Sequence, residues 1–323
     1  MRRRAFITLV GGAAALPFAA RAQQAMPVIG FFNSGRPQVY AKNLAALRQG
    51  LKETGFVENQ NVAIEFRWAE NQFDRLPGLA AEVVARRPAV IVSNTLAALR
   101  AKAATTTIPI VFTTGSDPVR DGLVGGLSRL GGNVTGVVFI AGTLGAKRLG
   151  LLRQFVPKAT TIAMLVNPST PETEAERKDV QVAAQAIGRQ VNFLDVRNAG
   201  DIEKAFATLA SRGTDALLIG TGPFTFNNRE LFVALAARHA IPAMYTTREP
   251  VEVGGLMGYG ASLPEAFRQA GIYAGRILKG DKPADMPVIQ STKFEFVINL
   301  KTAKTLGLEF HPQLLATVDE VIE

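Results

Sequence analysis

The sequence predicts an α/β protein made of two similar doubly wound parallel-sheet lobes that are joined by a multi-strand hinge. Three observations favour this class: short apolar runs alternate with helical patterns, the alternation occurs twice, and the chain continues beyond the second copy. Alternating strands and helices are typical of parallel sheets. Apolar runs without polar alternation indicate strands that helices bury on both faces.

An internal repeat is visible in the strand-like runs. In chain order, the four pairs of runs are VIGFFN and IAMLV, VAIEFRW and VNFLDV, AVIVSNT and ALLIGTG, and IPIVFTT and IPAMYTT. The amphipathic helices after the first pair both end at a glycine, Gly55 and Gly188. The shared IP…TT ending favours a duplication over a chance match of two βα arrays.

The chain after the second copy predicts how the lobes are joined. GGLMGYG reads as one more strand and residues 264–279 as a helix, and we expect both in lobe one. FEFVINL and the residues after it are expected in lobe two. Lobe one would then comprise residues 27–139 plus 254–284, and lobe two residues 140–253 plus 288–323. The crossovers would fall near 138–143, 250–254 and 284–292.

The first 22 residues are typical of an export signal. Three arginines, residues 2–4, precede an apolar stretch over 6–20, and Ala20-Arg21-Ala22 fits a signal-peptidase site. We predict cleavage near Ala22 and a periplasmic mature protein, exported by the Sec or the twin-arginine route. A short membrane anchor is the alternative. No later segment reaches the roughly 18 uninterrupted apolar residues of a membrane span.

The composition excludes several kinds of chemistry. The chain has no cysteine and two histidines, so disulfides, thiolate catalysis and a histidine metal site are not expected, and no cofactor is expected either. Removal of the signal would lower the net charge from +9 to +5, because the signal contains four arginines and no acid. The remaining charge forms no basic stripe, which disfavours nucleic-acid binding. Neither G-x-S-x-G nor a phosphate-binding loop is present, which disfavours an enzyme.

Polar residues at the strand ends predict the binding site. Ligands of open parallel sheets bind beyond the carboxyl ends of the strands, and two lobes on a hinge place a small ligand between them. The residues that we predict to contact the ligand lie at or just after strand ends. They are Asn33, Ser34, Asn94, Thr95, Ser116, Asp117, Asn167, Thr221, Phe224, Tyr245 and Tyr259.

Chemical roles can be assigned to some of these residues. Asn94 and Thr95 precede a helix, and a helix start suits a carboxylate. Asp117 could pair with an ammonium group or accept from a hydroxyl. Tyr245, Tyr259 and Phe224 could cover an aromatic or apolar part of the ligand. The alternative is that the polar residues only cap turns and helices.

Long motifs resemble a known family. The motifs IPIVFTTGSDPV, GLVGGLSRLGGNVTGV, ALAARHAIPAMY, GGLMGYGASL and RILKGDKPADMPVIQSTKFEFVINLKTAKTLGL resemble ABC-transporter substrate-binding proteins of the tryptophan/tyrosine-binding-like group. The resemblance covers essentially the whole mature chain. It implies a periplasmic-binding-protein-like fold of type I, and a hinged trap for an amino-acid-like or aromatic carboxylate ligand. The sequence differs from the family's more frequent MSYG at MGYG.

The resemblance also implies partners. The protein would act as a monomer that delivers its ligand to an inner-membrane ABC permease and its ATPase. A periplasmic sensor module that passes the ligand to a receptor is an alternative, and an α/β enzyme is a less favoured one. A two-lobe repressor would need a DNA-binding helix-turn-helix before lobe one, where this chain has the export signal.

Overall fold

The computed structural model describes residues 26–127, 132–139 and 143–323, and within these ranges the chain builds two α/β lobes. The predicted signal peptide lies outside the described residues, as does part of the crossover predicted at 138–143. The first passage of the chain builds most of lobe one. Its elements are β1 (Val28–Asn33), α1 (Ala41–Glu53), β2 (Ala63–Trp68), α2 (Leu76–Ala85), β3 (Val90–Asn94), α3 (Thr95–Ala104), β4 (Ile110–Thr114) and β5 (Val134–Phe139).

The second passage builds most of lobe two. Its elements are α4 (Gly145–Phe155), β6 (Ile162–Val166), α5 (Thr173–Ala186), β7 (Val191–Asp195), α6 (Ala199–Ser211), β8 (Ala216–Ile219), α7 (Pro223–Asn227), α8 (Arg229–Arg238), β9 (Ala243–Tyr245), α9 (Glu249–Glu252) and β10 (Met257–Ala261). The chain then returns to lobe one for α10 (Leu263–Leu278) and β11 (Ile289–Ser291). It ends in lobe two with β12 (Phe294–Asn299), α11 (Leu300–Thr305), α12 (Pro312–Leu315) and β13 (Glu320–Ile322).

The two sheets have the same core topology, which confirms the predicted fold class. The strand order is β11-β5-β4-β3-β1-β2 in lobe one and β13-β12-β10-β9-β8-β6-β7 in lobe two. Strands β1 to β5 therefore occupy the same relative positions as β6 to β10. These neighbours pair in parallel, whereas β10 and β12 pair antiparallel.

The predicted placement of the LMGYG strand in lobe one is wrong. This strand is β10, which pairs with β9 and β12 of lobe two, because the repeated unit contains five strands and β10 is the counterpart of β5. The chain therefore recrosses after Ala261 and not near 250–254. The last crossover follows β11, which pairs with β5 of lobe one, so residues 289–291 do not belong to the sheet of lobe two.

Burial on both faces explains the continuous apolar strands. Phe31 and Phe32 of β1 are both fully buried, and they point into two different clusters on opposite faces of the sheet. Met164 and Leu165 of β6 do the same in lobe two. A parallel sheet that is covered by helices on both sides needs apolar side chains at every strand position.

Close packing of α10 on α1 completes lobe one. The two helices meet at glycines: a Cβ at Gly50 would lie 1.9 Å from the carbonyl oxygen of Arg268, and one at Gly271 would lie 2.2 Å from that of Leu47. Around this crossing, Leu47, Leu51, Phe267 and other apolar side chains form one cluster. The returning segment is therefore part of the core of lobe one.

The glycine contact predicts a large effect of one methyl group. Gly50→Ala should lower the free energy of unfolding by about 3 kcal/mol, because α1 and α10 would have to separate. Gly150→Ala in α4 is the matched control, since a Cβ there meets nothing within 4 Å. That variant should be neutral or stabilised by up to about 1 kcal/mol through helix propensity. Urea denaturation measures both, and equal effects would contradict the tight crossing.

Candidate functional site

The carboxyl ends of the two sheets face each other across a cleft. In lobe one, β3 and β4 end at Asn94 and Thr114, and in lobe two Thr221 and Thr246 follow β8 and β9. Because the strands pair in parallel, their carboxyl ends lie together at one edge of each sheet, where ligands of such sheets bind. This arrangement concentrates hydroxyl and amide groups between the lobes.

A cavity lies between these edges, and both lobes line it. We call it the cleft cavity. Lobe one contributes Tyr40, Asn94, Thr95, Thr113, Phe139, Leu263 and Phe267, and lobe two contributes Glu172, Thr221, Gly222, Pro223, Phe226, Thr246, Thr247 and Ala261. The lining combines aromatic rings, five threonines and one carboxyl group. Such a lining suits a small ligand with an apolar body and a polar end.

Aromatic rings form one wall of the cleft cavity. The ring of Tyr40 lies 5.4 Å from that of Phe226 and 5.9 Å from that of Phe267, measured between centroids. Tyr40 and Phe267 belong to lobe one and Phe226 to lobe two, so this wall is complete only when the lobes are together. Burial raises the pKa of Tyr40 well above its usual value, so its hydroxyl stays neutral.

The start of α3 lies at the wall of the cavity, which Asn94 and Thr95 line. Asn94 is the N-cap residue of α3, but its side chain makes no capping hydrogen bond. Instead, its Nδ2 donates to Ser34 Oγ at 2.7 Å and its Oδ1 accepts from the Ser34 backbone N–H at 3.2 Å. Since the first N–H groups of a helix have no partner within the helix, this start can hold an anion.

A chain of hydroxyls supports the same edge. Thr95 Oγ1 lies 3.0 Å from Thr114 Oγ1, which in turn lies 2.9 Å from Ser116 Oγ. All three side chains are buried. These hydroxyl contacts fix the position of Thr95, the first residue of α3, against the end of β4.

Glu172 is a buried acid in the wall of the cavity. It is 2% exposed, and its Oε2 has no hydrogen-bond partner among the described residues. Burial raises the pKa of Glu172 to about 7; the carboxylates of Asp121 and Glu176 add to the shift, and its own backbone amide and Arg120 oppose it. A carboxyl in this position can accept from a donor or a cation of the ligand.

A buried ion pair holds the neighbouring edge of lobe two. Arg148 of α4 donates to Glu176 of α5, and both residues are at most 1% exposed. Glu176 also accepts from the Thr221 backbone N–H at 2.7 Å and from its hydroxyl at 3.0 Å. This network fixes Thr221, which lines the cavity, to two helices of its own lobe.

The lobes contact each other around the cavity. Lys42 of lobe one lies 2.5 Å from Glu252 of lobe two, and Arg120 of lobe one donates to the carbonyl of Pro171 at 3.1 Å. Arg229 of lobe two donates to the carbonyl of Val39 at 3.4 Å. These contacts describe a closed cleft.

Comparison with known proteins identifies the family. The family model described as "ABC transporter substrate binding protein" matches residues 37–322. The chain belongs to the ABC transporter substrate-binding protein family. This is a family of binding proteins and not of enzymes. Its members serve ABC transporters, which implies a small-molecule ligand and a permease partner. They are generally extracytoplasmic. No helix in the described ranges is long and apolar enough to cross a membrane.

Individual relatives agree with this family. A protein named tyrosine-binding protein from Clostridioides difficile is 26% identical over 262 residues, which are 81% of this chain and 75% of the relative. The crystal structure of an ABC domain in complex with L-Trp from Streptococcus pneumonia has a TM-score of 0.81 at 25% identity, and covers 91% of this chain and 100% of that chain. A conserved domain protein from Vibrio cholerae has a TM-score of 0.84 at 23% identity, with 92% and 99% coverage, and shows the same fold.

A ligand-free, open structure resembles this protein less closely. It is a substrate-binding protein with adhesive properties from Clostridium difficile, with a TM-score of 0.66 at 26% identity and coverage of 92% and 99%. Identity and coverage nearly equal those of the L-Trp complex, so sequence divergence does not explain the lower score.

The structure brings some of the predicted ligand-contacting residues into the cleft cavity and places others elsewhere. Asn94, Thr95 and Thr221 line the cavity. Ser116 and Asp117 line a neighbouring outer pocket, which shares Glu172 with the cavity. Asp117 is exposed, and its Oδ1 accepts from the backbone N–H groups of Val119 and Arg120, as in a capped turn.

The remaining predicted residues are not part of the cavity lining. The Oδ1 atoms of Asn33 and Asn167 accept from the backbone N–H two residues later, at 2.8 Å in both, and Ser34 bonds to Asn94. Phe224 and Tyr245 belong to an apolar cluster of lobe two, and burial raises the pKa of Tyr245. Tyr259 is half-buried, and its ring stacks on that of Phe294 at 6.4 Å.

Sequence reasoning missed Tyr40, Glu172 and Phe226. Each lies on a helical turn after a strand end and not at the strand end itself. For Phe226 the signal was close, because Phe224 on the same short helix was chosen, but the two side chains point to different faces. An acid directly before α5, within NPSTPE, was the available signal for Glu172. No group of three or more metal-ligating residues occurs within the described part of the chain.

The buried ion pair yields a prediction for stability. Arg148→Met should lower the free energy of unfolding by about 3–5 kcal/mol, because Glu176 keeps a buried charge without its cation. Adding Glu176→Gln should recover most of the loss. Arg153→Met, at an exposed position of the same helix, should change stability by less than about 0.5 kcal/mol. A double variant as unstable as Arg148→Met would show that the charge imbalance is not the cause.

The raised pKa of Glu172 predicts a pH dependence of stability. The folded protein binds one more proton than the unfolded chain between pH 4.5, the usual value, and about 7. The contribution of Glu172 to the free energy of unfolding is therefore fully present below pH 4.5 and is lost as the pH rises to about 7. The free energy of unfolding of Glu172→Gln minus that of wild type should be about 3 kcal/mol higher at pH 8 than at pH 4.5. Denaturant titrations at both pH values measure this gain.

The matched control is Glu174→Gln, which removes an exposed carboxyl two residues later, in the first turn of α5. Its difference from wild type should remain within about 0.5 kcal/mol at both pH values. An equal gain for the two glutamine variants would refute the assignment of the pH dependence to Glu172.

Proposed function

We propose that this substrate-binding protein traps an aromatic carboxylate of amino-acid size in the cleft cavity, with the carboxylate at the start of α3. The observation that carries the proposal is the uncapped start of α3 in a cavity walled by aromatic rings. Backbone N–H groups and the Thr95 hydroxyl would donate to the carboxylate, and the helix dipole favours a negative charge there. An aromatic ring would pack against Tyr40, Phe226 and Phe267.

The names of two relatives support this ligand class. One is a tyrosine-binding protein, and one solved structure is a complex with L-Trp. Both ligands combine a carboxylate with an aromatic ring, which are the two features that the lining of the cleft cavity fits. An uncharged sugar would leave the start of α3 without an anion.

Closure follows from the division of the site between the lobes. The α3 start belongs to lobe one, whereas Phe226 and Thr221 belong to lobe two. A ligand that touches both sets has more contacts in the closed state than in the open state, and this difference in binding free energy shifts the population toward closure.

The cellular role that we propose combines this trap with export. The N-terminal sequence supports export to the periplasm with cleavage near Ala22. The mature protein would act as a monomer without catalytic activity, and would present its closed form to an inner-membrane permease and its ATPase. Delivery requires the permease to reopen the cleft.

Binding measurements test the ligand class. L-tryptophan, L-tyrosine, indole-3-propionate and glucose are titrated into the purified protein by calorimetry and thermal shift. An aromatic carboxylate at 100 times its dissociation constant should stabilise the protein by about 2.7 kcal/mol, and glucose should not. Indole-3-propionamide should bind at least about tenfold more weakly than indole-3-propionate, because the amide lacks the charge that α3 stabilises.

Two variants locate the carboxylate. Thr95→Ala should weaken binding of the aromatic carboxylates by about fivefold to tenfold, since one hydroxyl donor is removed. Thr106→Ala, at an exposed position just after α3, is the control and should bind normally. Equal affinity for the acid and its amide would sink the placement at α3, and binding of glucose alone would sink the ligand class.

A further inference from the structure

The cleft cavity contains a second polar group, the carboxyl of Glu172. It attracts positive charge, whereas the start of α3 attracts negative charge. Glu172 lines the cavity, is 2% exposed, and leaves Oε2 without a hydrogen-bond partner among the described residues. A buried carboxyl without a partner costs free energy, so a donor that enters the cavity gains more from this group than from an exposed one.

The surroundings of Glu172 favour a cation over a neutral donor. The side chain of Asp121 is 6% exposed, and its Oδ2 also lacks a partner in the described ranges. The carboxylates of Asp121 and Glu176 both act on Glu172, and Glu176 is already neutralised by Arg148. Arg120 is the cation on this side, but it donates to Asp121 and to the carbonyl of Pro171.

We propose that Glu172 binds the ammonium group of the ligand, so that the protein selects α-amino acids over aromatic acids that lack the amine. The inference rests on the proposed function, because it requires an aromatic carboxylate in the same cavity. An α-amino acid carries its ammonium next to its carboxylate, and the cavity offers one anchor for each: the start of α3 and Glu172. The aromatic wall is left for the side chain of the ligand.

Two other acids were candidates for this role and fit it less well. Asp117 is exposed, lies in the outer pocket and already caps a turn. Glu249 is 5% exposed and without a partner among the described residues, but it is not part of the cavity lining. Glu172 alone among these three combines burial, a free oxygen and access to the cavity.

The charge state of Glu172 gives the site a dependence on pH. The ionised form binds an ammonium group, and burial raises the pKa of Glu172 to about 7. Affinity for an amino acid should therefore be constant above pH 7 and fall by up to about tenfold per pH unit below it. The charged groups facing Glu172 are Asp121 and Arg120 from the turn after β4, and Glu176 on α5 with its partner Arg148 on α4.

The experiment compares L-tryptophan with indole-3-propionate, which differ by the amine. At pH 8, wild type should bind L-tryptophan about tenfold to hundredfold more tightly. Glu172→Gln should reduce this ratio to less than about threefold, through weaker binding of L-tryptophan and tighter binding of indole-3-propionate, because the variant removes the uncompensated buried carboxylate. Between pH 8 and pH 5.5 the affinity of wild type for L-tryptophan should fall, and that of Glu172→Gln should stay constant.

Two further variants serve as controls. Asp117→Asn should keep the wild-type ratio, although it removes an acid from the neighbouring pocket. Glu172→Asp keeps the charge and should retain part of the preference, which guards against a folding defect in Glu172→Gln.

The outcomes separate the two proposals. If wild type binds both ligands equally, or if Glu172→Gln keeps the full preference, the ammonium site is refuted while the aromatic-carboxylate trap stands. Loss of preference in Asp117→Asn and not in Glu172→Gln would move the site to Asp117. If wild type binds neither ligand, the proposed function fails, and the ammonium site fails with it.

Discussion

The structure depends on one constraint: each parallel sheet collects polar groups at one edge, and the two edges face each other in a closed cleft. Groups in that position lose water and need partners. Most find them within one lobe, as in the Ser34–Asn94 pair and the Arg148–Glu176–Thr221 network. Among the described residues that line the cleft cavity, Glu172 Oε2 and Thr247 Oγ1 are left without a hydrogen-bond partner, and the start of α3 has no side-chain cap. The ligand class that we propose is the one that matches these groups.

The path of the chain ties the two lobes together while each lobe keeps its own sheet. Lobe one is completed by α10 and β11, which the chain adds after it has built most of lobe two. The close approach of α10 to α1 at Gly50 and Gly271 makes this return tight. The backbone therefore passes between the lobes at three points, which is the arrangement that hinged two-lobe proteins use. Each lobe keeps its own pair of apolar clusters on the two faces of its sheet.

The sequence predicted the repeated βα units, because strand burial on both faces leaves an unmistakable apolar run and the polar residue after it is easy to see. The prediction of Asn94, Thr95 and Thr221, which line the cleft cavity, depended on this pattern. The prediction of the lobe that contains β10 was wrong because an apolar run does not indicate which sheet it joins. GGLMGYG is equally compatible with the last strand of either lobe. Tyr40, Glu172 and Phe226 were missed, since they reach the cavity from turns after the strand ends, and the orientation of these turns is set by contacts between distant parts of the chain.

The energetics of closure favour a ligand-dependent switch. The ion pair between Lys42 and Glu252 bridges the lobes, but the Lys42 side chain is 64% exposed, and exposed pairs contribute at most about 1 kcal/mol. Burial of Glu172 without a partner opposes closure in the absence of ligand. The proposed ligand would supply the missing cation and so remove this cost only in the closed form, and its ring would contact Tyr40 and Phe226, which come from opposite lobes. The same unpaired carboxyl that would weaken the empty closed state thus makes closure selective for the ligand that completes it.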